Sequence, residues 1–539
     1  MYAGRAEQPD PPPFGLPSEP RNDHDGKLST MVTIARDHAL ESAERADAEL
    51  RAGRRRSILH GVPYGVKDLL DTDGIRTTWG SGIFRDRVPL RNAAVIDKLR
   101  ESGAVLMAKM SLGEFAGGNT SSALNPWQLD RTSFGSSSGT VAATVAGLIG
   151  FGIGTETGGS IVFPSSAVGA SGLRPTFSRV SRHGCMALSW SLDKIGPVGR
   201  SAEDCGYILE QIVGYDARDN SSTDRPFSFR AEPGSMLGKR LGVHRAEFEL
   251  TQSDHNRQVF QEALDVWRGM GVVVEDIELP LYPTGALFTT IVTVESGTNF
   301  KRLFDDGRAA GMFSFNEDRA AGWMAGRMMP AADYLTAQRI RSRLTREADE
   351  VVSRYDAVIA PTWPNGAALR EVSEGWPIPA RNEWEPSDDL DARTPRLNYI
   401  ANLVGHPGLN VPCGFDLDGL PLCLQIVASP FDDQSALDFG MSFQQETDWH
   451  RQRPPYPWRP ELRSDVTPGR SAYASRVKEH VCVPCERDRQ RPPASARSTR
   501  PHAFNCGSDS IIGEARISSS GPTTEMIMRS GLLYQRAAA

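Results

Sequence analysis

The stretch RTSFGSSSGTVAATVAGLIGFGIGTETGGSIVFPSSAVGASGLRPT, residues 131–176, decides how the rest of this 539-residue chain is read. Two Gly/Ser clusters, Gly135-Ser136-Ser137-Ser138-Gly139 and Gly158-Gly159-Ser160, flank a small-residue helical segment, TVAATVAGLIG. Glycine has no Cβ, so at both clusters backbone and hydroxyls can approach a ligand closely. Taken alone the clusters fit a pair of flexible loops, or a G-x-S-x-G nucleophile elbow with Ser137 as the nucleophile. The elbow requires a buried strand before it, whereas NPWQLDRTSF holds turn formers. None of His183, His244, His255, His406 or His450 stands in a recognisable triad context.

A third reading begins upstream, in HGVPYGVKDLLDTDGIRTTWGS (60–81). Lys67 closes an apolar GVPYGV run. If the run is extended, Lys67 and Asp68 point to opposite faces, and the lysine can be buried away from its acidic neighbour. Burial lowers a lysine pKa from about 10.4 toward neutrality, and a neutral amine is a general base. Lysine is scarce here: only eight of the 60 basic residues are lysines, so one at a suggestive position carries weight. The oxyanion of an acyl-transfer intermediate needs backbone N–H donors, which Thr157, Gly158, Gly159 and Ser160 offer where side chains are smallest.

HGVPYGVKDLL, NPWQLDRTSFGSSSGTVAATVAG, GTETGGSIVFPSSAVGASGLRPT and SLDKIGPVGRSAED, in this order and spacing, resemble the amidase signature family of Ser-Ser-Lys hydrolases. The resemblance runs from about residue 28 to Pro455, with a signature region at about 58–205 and the closing GLPLCLQIVASPFDDQSALDFGMSFQQETDWHRQRPP. It implies an α/β fold, a large mixed β-sheet sandwiched between α-helices with the signature region at its centre. It also implies an amidase that converts a carboxamide to a carboxylate and ammonia or an amine through an acyl-enzyme. Ser160 is then the nucleophile, Ser136 the bridging serine, Lys67 the terminal base, and Thr157, Gly158 and Gly159 the backbone oxyanion hole. The 24-residue step from Ser136 to Ser160 is the family's usual step and selects Ser136 over Ser137 and Ser138. A cis peptide before Ser136 is implied too, and neither metal nor cofactor is. The GEFAGG-like loop (113–118) and the core resemble as well the glutaminase subunit, the A-subunit, of a tRNA-dependent amidotransferase, a role that needs a second protein to receive ammonia. A non-catalytic paralogue is the remaining alternative.

The chain departs from the family pattern at four places. Glu156 and Val162 stand where the family commonly reads aspartate and arginine, so a charged contact near Ser160 is either lost or rebuilt. Phe134 replaces a glycine before the bridging serine, and Cys423 replaces one late in the domain.

Outward from this region, residues 28–52 contain a strand-like LSTMVTI and an Ala-rich helical pattern. The short β-branched runs VVVEDIELP and YDAVIAPT follow the helical stretches DHNRQVFQEALDVWRGMG and YLTAQRIRSRLTREADEVVSR, the alternation of a helix-covered sheet. Residues 1–27 are rich in Pro and acidic side chains and are expected to be a disordered leader. From Arg463 onward Ser, Pro and Arg dominate, and 464–539 is expected to be a tail outside the catalytic domain, 28–463. Its Cys482, Cys485, His502 and Cys506 are zinc-ligand types at a spacing of no common finger. The aromatic segment EGWPIPARNEWEP (374–386) reads as a surface loop or a substrate entrance.

Composition excludes several classes. With 39% hydrophobic and 24% charged residues, this is an ordinary globular chain. No run approaches the roughly 20 apolar residues of a membrane helix, and MYAGRAEQPDPPPFGLPSEP lacks the apolar core of a signal peptide. Seven scattered cysteines read as reduced thiols, which sets a cytoplasmic expectation. A net charge of −7 argues against a nucleic-acid partner unless the amidotransferase reading holds. The expected partner is a small-molecule amide. Oligomeric state is not legible.

Overall fold

The strand-like and helical runs assemble, in the computed structural model, around one sheet of eleven strands. These are β1 (Met31–Ile34), β2 (Pro63–Lys67), β3 (Val105–Met110), β4 (Phe151–Glu156), β5 (Ser171–Arg174), β6 (Lys194–Gly199), β7 (Arg240–Val243), β8 (Val273–Asp276), β9 (Ala357–Pro361), β10 (Gly408–Phe415) and β11 (Pro421–Val427). The structure describes residues 28–117, 121–251, 253–312, 318–370 and 396–455. The leader, the 374–386 segment and the 464–539 tail with its zinc-ligand types lie outside the described residues. The chain divides into two units, Met1–Trp458 and Arg459–Ala539, and every described residue belongs to the first.

The spatial order is β1-β3-β2-β4-β6-β5-β10-β11-β9-β7-β8. The sheet is mixed: β2 runs parallel to β3 and β4, and β7 to β8 and β9, while the remaining pairings are antiparallel. The signature region supplies β2 to β6, which with β1 form one half of the sheet and reach its middle strand at β5. At the middle β10 pairs with β5, Gly408 opposite Arg174 and Asn410 opposite Gly172, so a late segment closes onto the early half.

The pleat of β4, FGIGTE, shows how both faces are covered. Phe151 and Ile153 enter the main apolar cluster with Leu99, Ile208 and Leu209. Gly152 and Gly154 face the other way, against the Ser138–Val145 helix, whose residues are all buried. A Cβ at Gly152 would sit 2.4 Å from Thr140 Cγ2, and one at Gly154 would sit 3.1 Å from Ser137 Oγ. Glycines alternating with large apolar residues thus let a small-residue helix lie directly on the strand. On the opposite side the Ala202–Ile212 helix begins with a capping box, Ser201 and Asp204 each satisfying the other's backbone N–H. Among the described residues no helix is long and apolar enough to cross a membrane.

Candidate active site

Lys67 is the last residue of β2, and its side chain is fully buried. Its Nζ lies 2.7 Å from Ser136 Oγ, 2.9 Å from Thr155 Oγ1 and 3.3 Å from the Thr155 carbonyl. Burial pulls the ammonium down to about 7, against the upward pull of Cys185, Asp193 and Glu156. Asp68 turns away, as the extended run requires: its Oδ2 accepts from Thr78 N and Oγ1 at 2.8 and 2.6 Å, and its Oδ1 lies 3.9 Å from Lys109 Nζ. Lys109 is a second buried lysine, drawn down by burial to about 8.

Ser136 is 1% exposed and follows a cis peptide bond from Gly135, as the resemblance implies. Its neighbour Ser137 is buried and occupied elsewhere: its Oγ accepts from Thr155 N at 3.3 Å and donates to Thr155 O at 3.2 Å. That arrangement pins the serine cluster to β4 and removes Ser137 from reach of a substrate. The Ser137 N–H also donates to Ser160 O at 3.2 Å, which brings the two Gly/Ser clusters side by side. Ser160 itself is partly exposed, whereas Ser136 and Lys67 are buried.

The departures from the family pattern are accommodated, each in its own way. Phe134 adopts φ +52°, a conformation costly for a residue with a Cβ, which explains why glycine suits the position. Its ring is compensated by edge-on packing on Trp363 at 5.5 Å, where Phe163 also packs at 5.7 Å. Cys423 is fully buried in β11 with Sγ 3.6 Å from Ser166 O, and burial lifts its thiol to about 12.

Glu156 keeps a charged partner even though Val162 offers none. One carboxylate oxygen accepts from Ile161 N and Val162 N at 2.8 and 3.0 Å, and the other accepts from Arg174 Nη1 at 2.6 Å and Asn402 Nδ2 at 2.9 Å. Burial would raise this carboxyl, but the buried Arg174, the charge of Lys194 and the hydrogen bond from Val162 N together hold it below the ordinary range. The charged contact is therefore rebuilt from β5.

The turn that follows β4 is built for close approach. Gly159 has φ +141°, and a Cβ there would strike the Phe163 ring at 2.3 Å, while one at Gly158 would strike Phe288 at 2.2 Å. The N–H groups of Gly158, Gly159 and Ser160 find no acceptor among the described residues. Thr157 is anchored by its side chain, Oγ1 donating to Asp193 Oδ1 at 2.6 Å. Burial raises the Asp193 carboxyl. Lys194, the first residue of β6, approaches Asn402 Oδ1 at 2.8 Å and Thr157 O at 3.4 Å, and burial lowers it far below the ordinary lysine range. A cavity of about 220 Å³ adjoins this turn, lined among others by Thr155, Thr157, Cys185, Arg182, Asp193 and Asp219.

Of the residues singled out in sequence, Lys67 Nζ and Ser136 Oγ are in direct contact, and the 157–160 turn is joined to the serine cluster through Ser137 N and Ser160 O. Arg174, from within the signature stretch, and Asn398, Asn402 and Phe288, from distant segments, join them and were missed in sequence. The region holds a buried amine and hydroxyl able to exchange a proton, a partly exposed Ser160 whose carbonyl accepts from Ser137 N, and clustered N–H donors.

The family profile described as Amidase matches residues 21–437. A curated relative, the A-subunit of glutamyl-tRNA(Gln) amidotransferase from Roseiflexus sp. (strain RS-1), is 35% identical over 468 residues, covering 80% of this chain and 92% of its own. Among solved structures, native peptide amidase from Stenotrophomonas maltophilia superposes with a TM-score of 0.67 at 28% identity, over 80% of this chain and 92% of its own. The A-subunit of glutamyl-tRNA(Gln) amidotransferase from Thermotoga maritima gives 0.63 at 26% identity, over 78% and 88%. With a match along most of its length, the chain belongs to the amidase signature family.

Proposed function

We propose that the chain is a Ser-Ser-Lys hydrolase of a primary carboxamide that performs the glutaminase half-reaction of an amidotransferase A-subunit. Neutral Lys67 takes the Ser136 proton while Ser136 takes that of Ser160. Ser160 Oγ then bonds to the amide carbon, and the carbonyl oxygen becomes an oxyanion facing the N–H groups of 157–159. Collapse breaks the C–N bond. The relay returns its proton to the departing nitrogen, which leaves as ammonia, and the same relay then activates water against the acyl-Ser160 ester. The observation that carries this reading is the buried 2.7 Å contact between Lys67 Nζ and Ser136 Oγ, with the lysine drawn down to about 7. It also speaks for catalysis over a non-catalytic paralogue.

Two further observations support glutamine as the amide. Curated relatives covered over 92% of their own length, at 35% and 34% identity, are A-subunits of glutamyl-tRNA(Gln) amidotransferase. The adjoining cavity, about 220 Å³, is smaller than the roughly 300–1,000 Å³ of drug-sized pockets and carries both signs of charge, as suits an amino acid. In that reading ammonia passes to a second protein in the cytoplasm, and tRNA is that protein's ligand. A second reading, the stand-alone amidase, is favoured by the higher structural likeness to peptide amidase, 0.67 against 0.63.

The test is fluorophosphonate labelling of the purified chain, with the labelled peptide identified, followed by ammonia release from glutamine and from C-terminal peptide amides. Labelling of Ser160 with glutamine turnover supports the first reading, and turnover of peptide amides alone supports the second. An unlabelled, inert protein would overturn both.

A further inference from the structure

A pair of adjacent glycines can rotate the peptide between them at little steric cost, so an oxyanion hole built on Gly158 and Gly159 needs an outside constraint. The structure supplies one from 240 residues away. Asn398, on the Arg396–Val404 helix, donates from Nδ2 to the Gly158 carbonyl at 3.0 Å and is itself 1% exposed. In a planar trans peptide the carbonyl and the following N–H point in opposite directions. Holding Gly158 O on the Asn398 side therefore aims the Gly159 N–H away from Asn398.

The amide of Asn398 is in turn fixed in its sense. Its Oδ1 accepts from Arg174 Nη1 at 3.1 Å and from Asn402 Nδ2 at 3.2 Å. A guanidinium can only donate, so the oxygen must face Arg174 and the NH₂ must face Gly158. Arg174 is held by Glu156 through the same Nη1 and by the His406 carbonyl through Nε at 3.2 Å. Glu156 completes the loop by taking the Ile161 and Val162 N–H groups on the far side of Ser160. Both flanks of the 157–162 turn are thus tied to one guanidinium.

We propose that Asn398, oriented by Arg174, is a positioning residue that sets the Gly158–Gly159 peptide so that its N–H serves the oxyanion. The proposal rests on the hydrolase reading above. It predicts that losing the Asn398 amide weakens transition-state binding while leaving ground-state binding alone.

The experiment uses the full chain and its variants Asn398→Ala, Asn398→Asp and Arg174→Lys. Three quantities are read: kcat and KM on the best amide found for the parent, the inhibition constant of the matching aldehyde, which mimics the tetrahedral oxyanion, and the melting temperature. The expected result for Asn398→Ala is a kcat loss of about 10- to 100-fold with KM within about twofold and aldehyde affinity falling in step with kcat/KM, somewhat less than deleting a donor outright. Asn398→Asp keeps the shape, turns an acceptor toward Gly158 O, and should lose at least as much. It carries the test alone if the alanine variant does not fold. Arg174→Lys should lose less than either, and a double variant with Asn398→Ala should be no worse than the worse single one. Unchanged aldehyde affinity and kcat, or a fall in melting temperature alone, would overturn the proposal while the hydrolase reading stood. An inert, unlabelled parent would instead overturn that reading.

Discussion

Lys67 Nζ and Ser136 Oγ meet at 2.7 Å where neither side chain is more than 1% exposed. In that setting a protonated lysine is disfavoured and a neutral one can take a proton from the serine. The free enzyme should therefore gain activity as pH rises through the Lys67 value of about 7, where the ammonium loses its proton, and level off above it. The check is kcat/KM against pH. A limb that disappears on replacing one histidine, with Lys67 intact, would contradict the relay.

Ser160→Ala should fold normally and retain only the background given by binding and N–H donors, several orders of magnitude below the parent. Ser136→Ala and Lys67→Ala should each fall far as well, with doubles little worse than singles because the three act as one relay. Ser137→Ala should behave differently. Its Oγ serves the Thr155 backbone in both directions, so the expected loss is about 1–3 kcal/mol of stability, read by denaturant unfolding. A Ser137→Ala variant as inert as Ser160→Ala would revive the elbow reading.

Val162→Arg restores a residue common in the family yet should not raise activity. Val162 is fully buried in the cluster with Phe134, Phe163, Trp363 and Leu420, and Glu156 already holds Arg174. A guanidinium forced among those rings should cost several kcal/mol, visible as a large drop in melting temperature. A more active, equally stable variant would show that Arg174 is an incomplete substitute.

At position 134 the usual ranking of small residues should invert. Both Phe134→Ala and Phe134→Gly lose the contact with Trp363, which typically costs about 3–5 kcal/mol, but only glycine relieves the φ of +52°. The glycine variant should therefore be the more stable of the two by about 1 kcal/mol, measured by chemical denaturation.

Deleting 464–539 should leave amide hydrolysis unchanged, since the described strands all precede it. Ending the chain before Gly419 should instead give insoluble protein, because β11 lies between β10 and β9 and its loss splits the sheet. Loss of kcat on the tail deletion alone would make the tail a working part of the enzyme.

Much of the fold was legible in local pattern. The strands at Met31–Ile34, Pro63–Lys67, Val273–Asp276 and Ala357–Pro361 sit inside runs whose β-branched or apolar character is visible in the sequence. Lys67, Ser136 and Ser160 lie in short motifs with characteristic spacing. Lys109 had a usable signal, for it interrupts the apolar run AVLMAKM in a chain poor in lysine, and it proves buried, as does Lys194. Asn398 and Asn402 had none, because a hydrogen bond spanning some 240 residues leaves no trace in local composition, while Arg174 stood within the signature stretch, 18 residues from Glu156, with nothing local to mark their pairing. Phe288, which packs over Gly158, reads in sequence as one more apolar helix residue. Strand order had no local signal for the same reason: it is a property of distant pairings.

The insertion of β10 beside β5 bears on the order in which a working enzyme comes into being. During synthesis Lys67, Ser136 and Ser160 leave the ribosome well before Asn398, and β5 waits with an open edge until 408–410 arrive to pair with it. A nascent chain therefore carries Ser160 before the distant amide that holds the Gly158 carbonyl has been made. A fragment that keeps every signature motif but ends before residue 398 lacks both that amide and the β10 strand that pairs with β5.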